Sequence, residues 1–270
     1  GYPADGDPFR VILHPDRLDE PCRLRKPARI FVCSMGDLFH EAVEGQYIRE
    51  VWGIMRASKH TFIVLTKRPH RLLAWTLQTA DRLSRPIEEI WPGNCWLGVT
   101  AENQARADER IPVLLEVPAA VRFVSVEPML GLVDLSCYLS WQYHVNLPEE
   151  ERPRAMAEHW AGMHRLTKLD WVICGGETGP GARPMHPDWV RGLRDQCQAA
   201  GVPFHFKSWG EWGPECTATA CRCQGITDNG SIREHGDKHS VTLFRVGPKA
   251  AGRLLDSKEW DEYPEVRSGD

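Results

Sequence analysis

Short, continuous apolar runs recur along the chain, and six of them end on polar or charged residues. Ile30-Phe31-Val32-Cys33 leads into Ser34-Met35-Gly36-Asp37, and Phe62-Ile63-Val64-Leu65 into Thr66-Lys67-Arg68. Cys95-Trp96-Leu97-Gly98-Val99 leads into Thr100-Ala101-Glu102-Asn103, and Val121-Arg122-Phe123-Val124 into Ser125-Val126-Glu127-Pro128. Trp171-Val172-Ile173-Cys174 leads into Gly175-Gly176-Glu177, and Phe204-His205-Phe206 into Lys207-Ser208-Trp209. A run that is continuous rather than alternating marks a strand buried on both faces, as in a parallel sheet. Helical spacing fills the gaps: 42–58 (Val43, Tyr47, Ile48, Val51, Trp52, Met55), 69–83, 103–115, and 187–200 up to Gly201. Pro69 suits a first helical turn. Alternating strands and helices imply crossover units on a mostly parallel sheet. The pattern predicts an α/β fold, a partial (β/α) TIM-like barrel over 1–212. In such a barrel all strand C-termini open onto the face that carries the active site, so the six polar clusters read as one site.

Two stretches break the rhythm. Residues 136–169 are polar, with Glu149, Glu150, Glu151 and Arg152, and read as a helical insertion serving as a lid or an elaboration. Residues 213–240 are rich in Gly, Thr, Cys and His, followed by a strand over 241–246 and a helix over 249–255. The segment 213–270 reads as a C-terminal appendage packed on the barrel.

Composition narrows the function classes. A chain of 270 residues with 42% hydrophobic content can bury the core of one α/β barrel or of two ordinary domains. Its 33 basic and 37 acidic residues give a net charge of −4, without the global basic footprint of a nucleic-acid binder, which leaves only a local patch for that role. No apolar run reaches membrane length and no secretory signal stands out. Nine scattered cysteines, two of them (Cys33 and Cys174) in predicted strands, fit a reducing cytoplasm better than a disulfide scaffold.

The candidate chemistry follows the strand ends. Gly175-Gly176-Glu177-Thr178-Gly179-Pro180-Gly181, with Arg183 after it, suits close approach of a ligand to backbone N–H groups, or a tight strand-to-helix turn. Its glycine spacing is not a dinucleotide fingerprint. Glu102, Glu127 and Glu177 follow three different strands. Together they suit an amino group, ribose hydroxyls or a metal, or else salt bridges to Lys67, Arg68 and Lys207. Asp37, with Ser34 and Gly36, joins the same rim. Lys67 and Arg68 suit a phosphate or carboxylate. Lys207 with Trp209 and Trp212 makes an aromatic wall with one cation for a base, or two core tryptophans. Cys216, Cys221 and Cys223, with His235 and His239, are candidate zinc ligands, although C-x4-C-x-C is not a usual zinc spacing and free loop thiols are the alternative.

Taken in order, these motifs resemble an uncharacterised phage and prophage family, the three-Cys-motif proteins. The segments that carry the resemblance are Ser34 to His40, Leu65 to Pro69, Gly98 to Asn103, Ser125 to Pro128, Gly175 to Gly179 and Phe206 to Glu211, with Gly247 to Asp256 near the end. Members look like radical S-adenosylmethionine enzymes with a partial barrel. The resemblance implies a [4Fe–4S] cluster on an N-terminal cysteine triad. Here the first cysteine is the isolated Cys22, so the chain is expected to start downstream of that loop and of the first barrel strand. By the same resemblance, Ser34, Gly36 and Asp37 lie near the amino-acid part of S-adenosylmethionine. Glu102 and Asn103 lie near its ribose, and Gly175 and Gly176 near the cofactor. Lys67, Arg68, Arg183, Lys207 and Trp209 line the substrate side. Three readings compete. The first is a radical-type enzyme acting on a nucleobase, a nucleotide or nucleic acid. The second is a cluster-free hydrolase or lyase using Glu127, Glu177 and Lys207 on a small molecule. The third is a module that recruits a partner protein through 136–169 or the appendage.

Overall fold

The computed structural model describes residues 10–140, 168–214, 222–226, 232–233 and 241–265. Strands β1 (Arg29–Val32), β2 (Thr61–Thr66), β3 (Cys95–Thr100), β4 (Val121–Val126), β5 (Trp171–Gly175) and β6 (Phe204–Ser208) lie side by side in sequence order. Every neighbouring pair is parallel, and the sheet curls into a half-barrel. Helices α1 (Gly45–Ala57), α2 (Pro69–Leu83), α3 (Gln104–Leu115) and α4 (Pro187–Ala200) pack on its outer face. The strand and helix order expected from the apolar runs is the order observed.

Local chemistry sets the helix ends. The Asn103 side chain accepts from Arg106 N at 3.1 Å, and His186 accepts from Asp188 N at 3.1 Å. Caps of the Asn type contribute about 1 kcal/mol each. Helix α4 stops at Gly201, which takes the left-handed conformation (φ 63°) that costs glycine no steric strain.

Period-two alternation divides the strand residues between two layers. Phe62, Val64, Leu97, Val99, Val124, Val126, Val172, Phe204 and Phe206 face the helices and join the larger core. Ile63, Trp96, Val121, Phe123, Trp171 and Ile173 fill the concave side, with Leu65 and Tyr263 packed against them. Gly98 belongs to this inner row: a Cβ there would stand 2.4 Å from the Phe123 ring, so the bare glycine makes room for the phenylalanine.

The C-terminal region forms two smaller sheets. β7 (Trp212–Gly213), β8 (Arg222–Ile226), β9 (Ile232–Arg233) and β10 (Val241–Arg245) build an antiparallel sheet in the order β7-β10-β8-β9. The helix expected over 249–255 is only Pro248–Ala251. Gly252 (φ 72°, ψ −162°) ends it, and Leu254–Leu255 pairs antiparallel with Lys258–Glu259. Asp256 and Ser257, at φ 53° and 63°, form the connecting turn with the left-handed pair that two-residue hairpins favour. The chain then returns to the barrel. Phe206 N donates to Trp260 O at 2.9 Å, and Trp171 Nε1 donates to Glu262 O at 2.9 Å. Tyr263 packs on both Trp171 and His205, with the Arg29 guanidinium 3.7 Å from its ring centre. Residues 260–263 therefore cover the free edge of β6 and close the apolar inner floor.

Of the insertion at 136–169, the helical turn Ser136–Leu139 is described, and most of the rest lies outside the described residues. No described helix is long and apolar enough to cross a membrane.

Candidate functional site

The inner row of each strand runs upward from apolar to charged. Steps of two residues lead from Ile63 and Leu65 to Lys67, from Trp96, Gly98 and Thr100 to Glu102, and from Phe123 and Ser125 to Glu127. The same steps lead from Trp171, Ile173 and Gly175 to Glu177, and from His205 to Lys207. Side chains two apart share a face of the sheet, so the polar residues just beyond the strands converge over the half-barrel's mouth.

They meet as ion pairs. Lys67 Nζ lies 2.5 Å from Glu102 Oε1, and Arg110, from α3, reaches Glu102 Oε2 at 2.9 Å and Thr100 O at 2.8 Å. Lys207 Nζ lies 2.7 Å from Glu127 Oε1. That bridge spans from β4 to β6 across β5, where Gly175 presents no side chain; a Cβ there would sit 3.2 Å from Glu127 Cδ. Arg183 grips Glu177 in a fork, Nε to Oε2 at 2.8 Å and Nη2 to Oε1 at 2.7 Å. Asp37 Oδ1 accepts from Phe39 N and Thr66 Oγ1, and Oδ2 from Lys67 N and Arg68 Nη1, at 2.8 to 3.1 Å. Four donors fill that carboxylate, which ties the loop after β1 to the loop after β2. Arg71 adds to this tie by donating to the carbonyls of Phe39, His40 and Val43.

Burial is asymmetric across these pairs. The carboxylates lie below the surface, with side-chain exposures of 14% for Glu102 and 24% for Glu177, while Lys67 and Arg183 are 52% and 55% exposed. Burial pushes the Glu102 pKa up, but the Lys67 hydrogen bond, its own backbone amide and the charges of Lys67 and Arg110 together take it below the usual value. The Arg183 hydrogen bond likewise lowers that of Glu177, and the arginine's own pKa is raised in return.

A cavity of about 310 Å³ opens between these groups, lined by Lys67, Glu102, Asn103, Arg106, Pro128, Leu130, Glu177 and Arg183. Of the residues singled out from the sequence, Lys67, Glu102, Asn103, Glu177 and Arg183 come together here. Glu127 and Lys207 form their own pair over Gly175. Ser34 and Gly36 are exposed on the loop after β1. Arg68 joins Asp37 and Glu41. Gly176 and Gly210 are where the loops after β5 and β6 cross: a Cβ on Gly176 would lie 2.0 Å from Trp209 O, and one on Gly210 2.2 Å from Glu177 O. The indoles of Trp209 and Trp212 lie in the core behind the mouth, donating to Leu254 O and Ala182 O. Cys216 and Cys221, with His235 and His239, lie outside the described residues, and Cys223 is placed only as a backbone position on β8.

Arg106 and Arg110 did not emerge from the sequence as candidates. Arg110 carried a signal: it shares a helical face with Ala107, Ile111 and Leu114, where a charge needs a partner. Among the described residues no group of three or more His, Cys, Asp or Glu stands close enough to hold a metal. These described residues offer no ligand set for the iron–sulfur cluster that the resemblance implies.

Fold and site define an α/β half-barrel protein with one charged mouth at the strand C-termini. The chain belongs to the DUF5131 family, a family described as protein of unknown function, whose model matches residues 4–264. Searches of curated proteins and of solved structures found no match.

Proposed function

We propose that this chain is an enzyme whose reaction takes place in the mouth of the half-barrel, of the radical S-adenosylmethionine type, acting on a nucleobase or nucleotide in a phage or prophage setting. The carrying observation is the convergence of charged side chains from successive strand ends on one rim beside a cavity of about 310 Å³, a volume within the range of small-molecule sites. The motif series along the chain supports the cofactor class. S-adenosylmethionine would bring a sulfonium, an amino acid and a ribose, and would supply a hydrogen-abstracting group once given an electron from the cluster that the resemblance implies, for which the described residues hold no ligands. Around it the chain's own residues have separate tasks. Glu102 and Asn103 offer oxygen acceptors to ribose hydroxyls. Lys67 and Arg183 offer donors to a carboxylate or phosphate. Pro128 and Leu130 give an apolar wall that limits water.

A cluster-free hydrolase or lyase is the second reading. Glu127 with Lys207 at 2.7 Å favours it, because a carboxylate and an ammonium side by side suit proton transfer at a bound substrate. Equilibrium dialysis with labelled S-adenosylmethionine tests the first reading. Saturable binding that is lost in Glu102→Ala but kept in Glu127→Ala supports it. Absence of binding by the folded chain overturns it and turns attention to Glu127 and Lys207.

A further inference from the structure

We infer that the cavity between the β3 and β5 loops is a phosphate site, holding the phosphoryl group of a mononucleotide-sized substrate. The inference rests on the mouth being the working end, but not on S-adenosylmethionine. It comes from counting hydrogen-bonding capacity. Both Glu102 oxygens are already met, one by Lys67 and one by Arg110, and both Glu177 oxygens by Arg183. The cations are less committed. Lys67 uses one of its three N–H donors, and Arg183 two of its five, on these carboxylates. Arg106 turns one guanidinium nitrogen to Glu109 on its own helix and lines the cavity without touching either site carboxylate.

The cavity thus has more free donors than free acceptors, which favours an occupant that brings acceptors. Three cations against two carboxylates also leave the lining net positive. Two of the cations are arginines, whose planar forks match phosphate oxygens in pairs. The buried carboxylates hold Lys67 and Arg183 in place before a ligand arrives, which lowers the ordering cost of binding. Asn103 and Arg106 put the first turn of the twelve-residue helix α3 at the same cavity, so its dipole acts in the same sense. Pro128 and Leu130 line the cavity as well and suit the apolar face of a nucleoside.

The test is titration calorimetry on the whole chain with adenosine 5′-monophosphate, adenosine and inorganic phosphate, beside S-adenosylmethionine. The monophosphate should bind saturably, inorganic phosphate should compete with it, and adenosine should bind at least about tenfold more weakly. Arg106→Gln is the cleanest variant, because among the described residues its side chain hydrogen-bonds only to exposed Glu109; it should weaken the monophosphate about tenfold with an unchanged melting temperature. Arg183→Gln should do at least as much. Adenosine binding as tightly as the monophosphate, no monophosphate binding, or an affinity unmoved by Arg106→Gln would each overturn the inference. Monophosphate binding without S-adenosylmethionine binding would sink the cofactor reading alone. The reverse would sink the phosphate site alone.

Discussion

Glu102 anchors two cations that differ in burial, and that difference sets what each substitution costs. Arg110 and Glu102 have side chains 10% and 14% exposed, whereas Lys67 is 52% exposed. In Glu102→Ala the Arg110 guanidinium stays in the protein with Thr100 O as its remaining acceptor. Removing one partner of a buried pair costs about 3–5 kcal/mol, and the retained carbonyl bond places this case near about 3 kcal/mol. Lys67→Ala removes an ammonium that water already solvates, and should cost less than about 1 kcal/mol. For a chain of this size those values correspond to about 6–12 °C and at most about 4 °C in melting temperature. The assay is urea and thermal unfolding followed by circular dichroism at neutral pH, with double-mutant cycles for each pair. The coupling of Glu102 with Arg110 should exceed that with Lys67 by about 2 kcal/mol, and Glu102→Leu with Arg110→Met should recover most of the loss. Equal couplings, or a Lys67→Ala cost matching Glu102→Ala, would refute the assignment of Arg110 as the structural partner and Lys67 as the outward one.

Other expectations follow from single features. Gly176→Ala should lower the melting temperature and disturb the mouth, since its Cβ would lie 2.0 Å from the backbone oxygen of Trp209, which cannot swing away. Far-ultraviolet dichroism together with ligand titration separates misfolding from loop displacement. Tyr263→Ala should cost about 1–3 kcal/mol, by loss of ring contacts with Trp171 and His205 and of the Arg29 cation–π contact, as read from unfolding midpoints. Stability should fall with acid in two stages. Burial holds His205 below its ordinary value of 6.5 despite Asp261, so the native state binds fewer protons there and loses stability as pH drops below about 6.5. Glu102 and Glu177, both lowered, contribute stability above about 4.5 that is lost as pH falls through their folded values. His205→Asn should remove the first stage only. In native alkylation read by peptide mapping, Cys22 should react before Cys95, whose thiol burial pushes up to about 12, and before the enclosed Cys174 and Cys197.

The sequence was most informative where one physical rule acted locally. Two-sided burial makes β2 to β5 continuous apolar runs, and the edge strand β1 keeps the apolar run although Phe31 is 43% exposed, so β1 to β6 and α1 to α4 were legible. The polar clusters at the strand ends then carried the reading to Lys67, Glu102, Glu127, Glu177 and Lys207. Side chains that arrive from elsewhere were harder to see. Arg106 and Arg110 reach the mouth from α3 on long stems, and only the fold tells which faces they serve. A tryptophan beside a lysine reads equally as a stacking wall or as core; Trp209 and Trp212 lie in the core, each indole N–H held by a distant carbonyl. The segment Lys249-Ala250-Ala251-Gly252-Arg253-Leu254-Leu255 has good helix formers on both sides of one glycine, and that glycine ends the helix. The closing of the floor by Tyr263 is a long-range contact that no local pattern encodes.

The mouth divides into two parts with different chemical prospects. On the β2, β3 and β5 side, carboxylates are consumed in holding cations that retain donors, which suits gripping an anionic ligand. On the β4 and β6 side there is one acid and one base, Glu127 and Lys207, joined across the gap that Gly175 leaves. The pair joins one Lys207 N–H to one Glu127 oxygen, and a ligand that inserts between them would free both at once. Lys207 is 59% exposed and long enough to swing aside, whereas Glu127, packed over Gly175, is 25% exposed. The lysine is therefore the member that moves, and the carboxylate is the member left facing the ligand. If so, Lys207→Met should impair turnover less than Glu127→Gln, and a bulkier residue at 175 should impair both binding and turnover by tilting Glu127 out of its place.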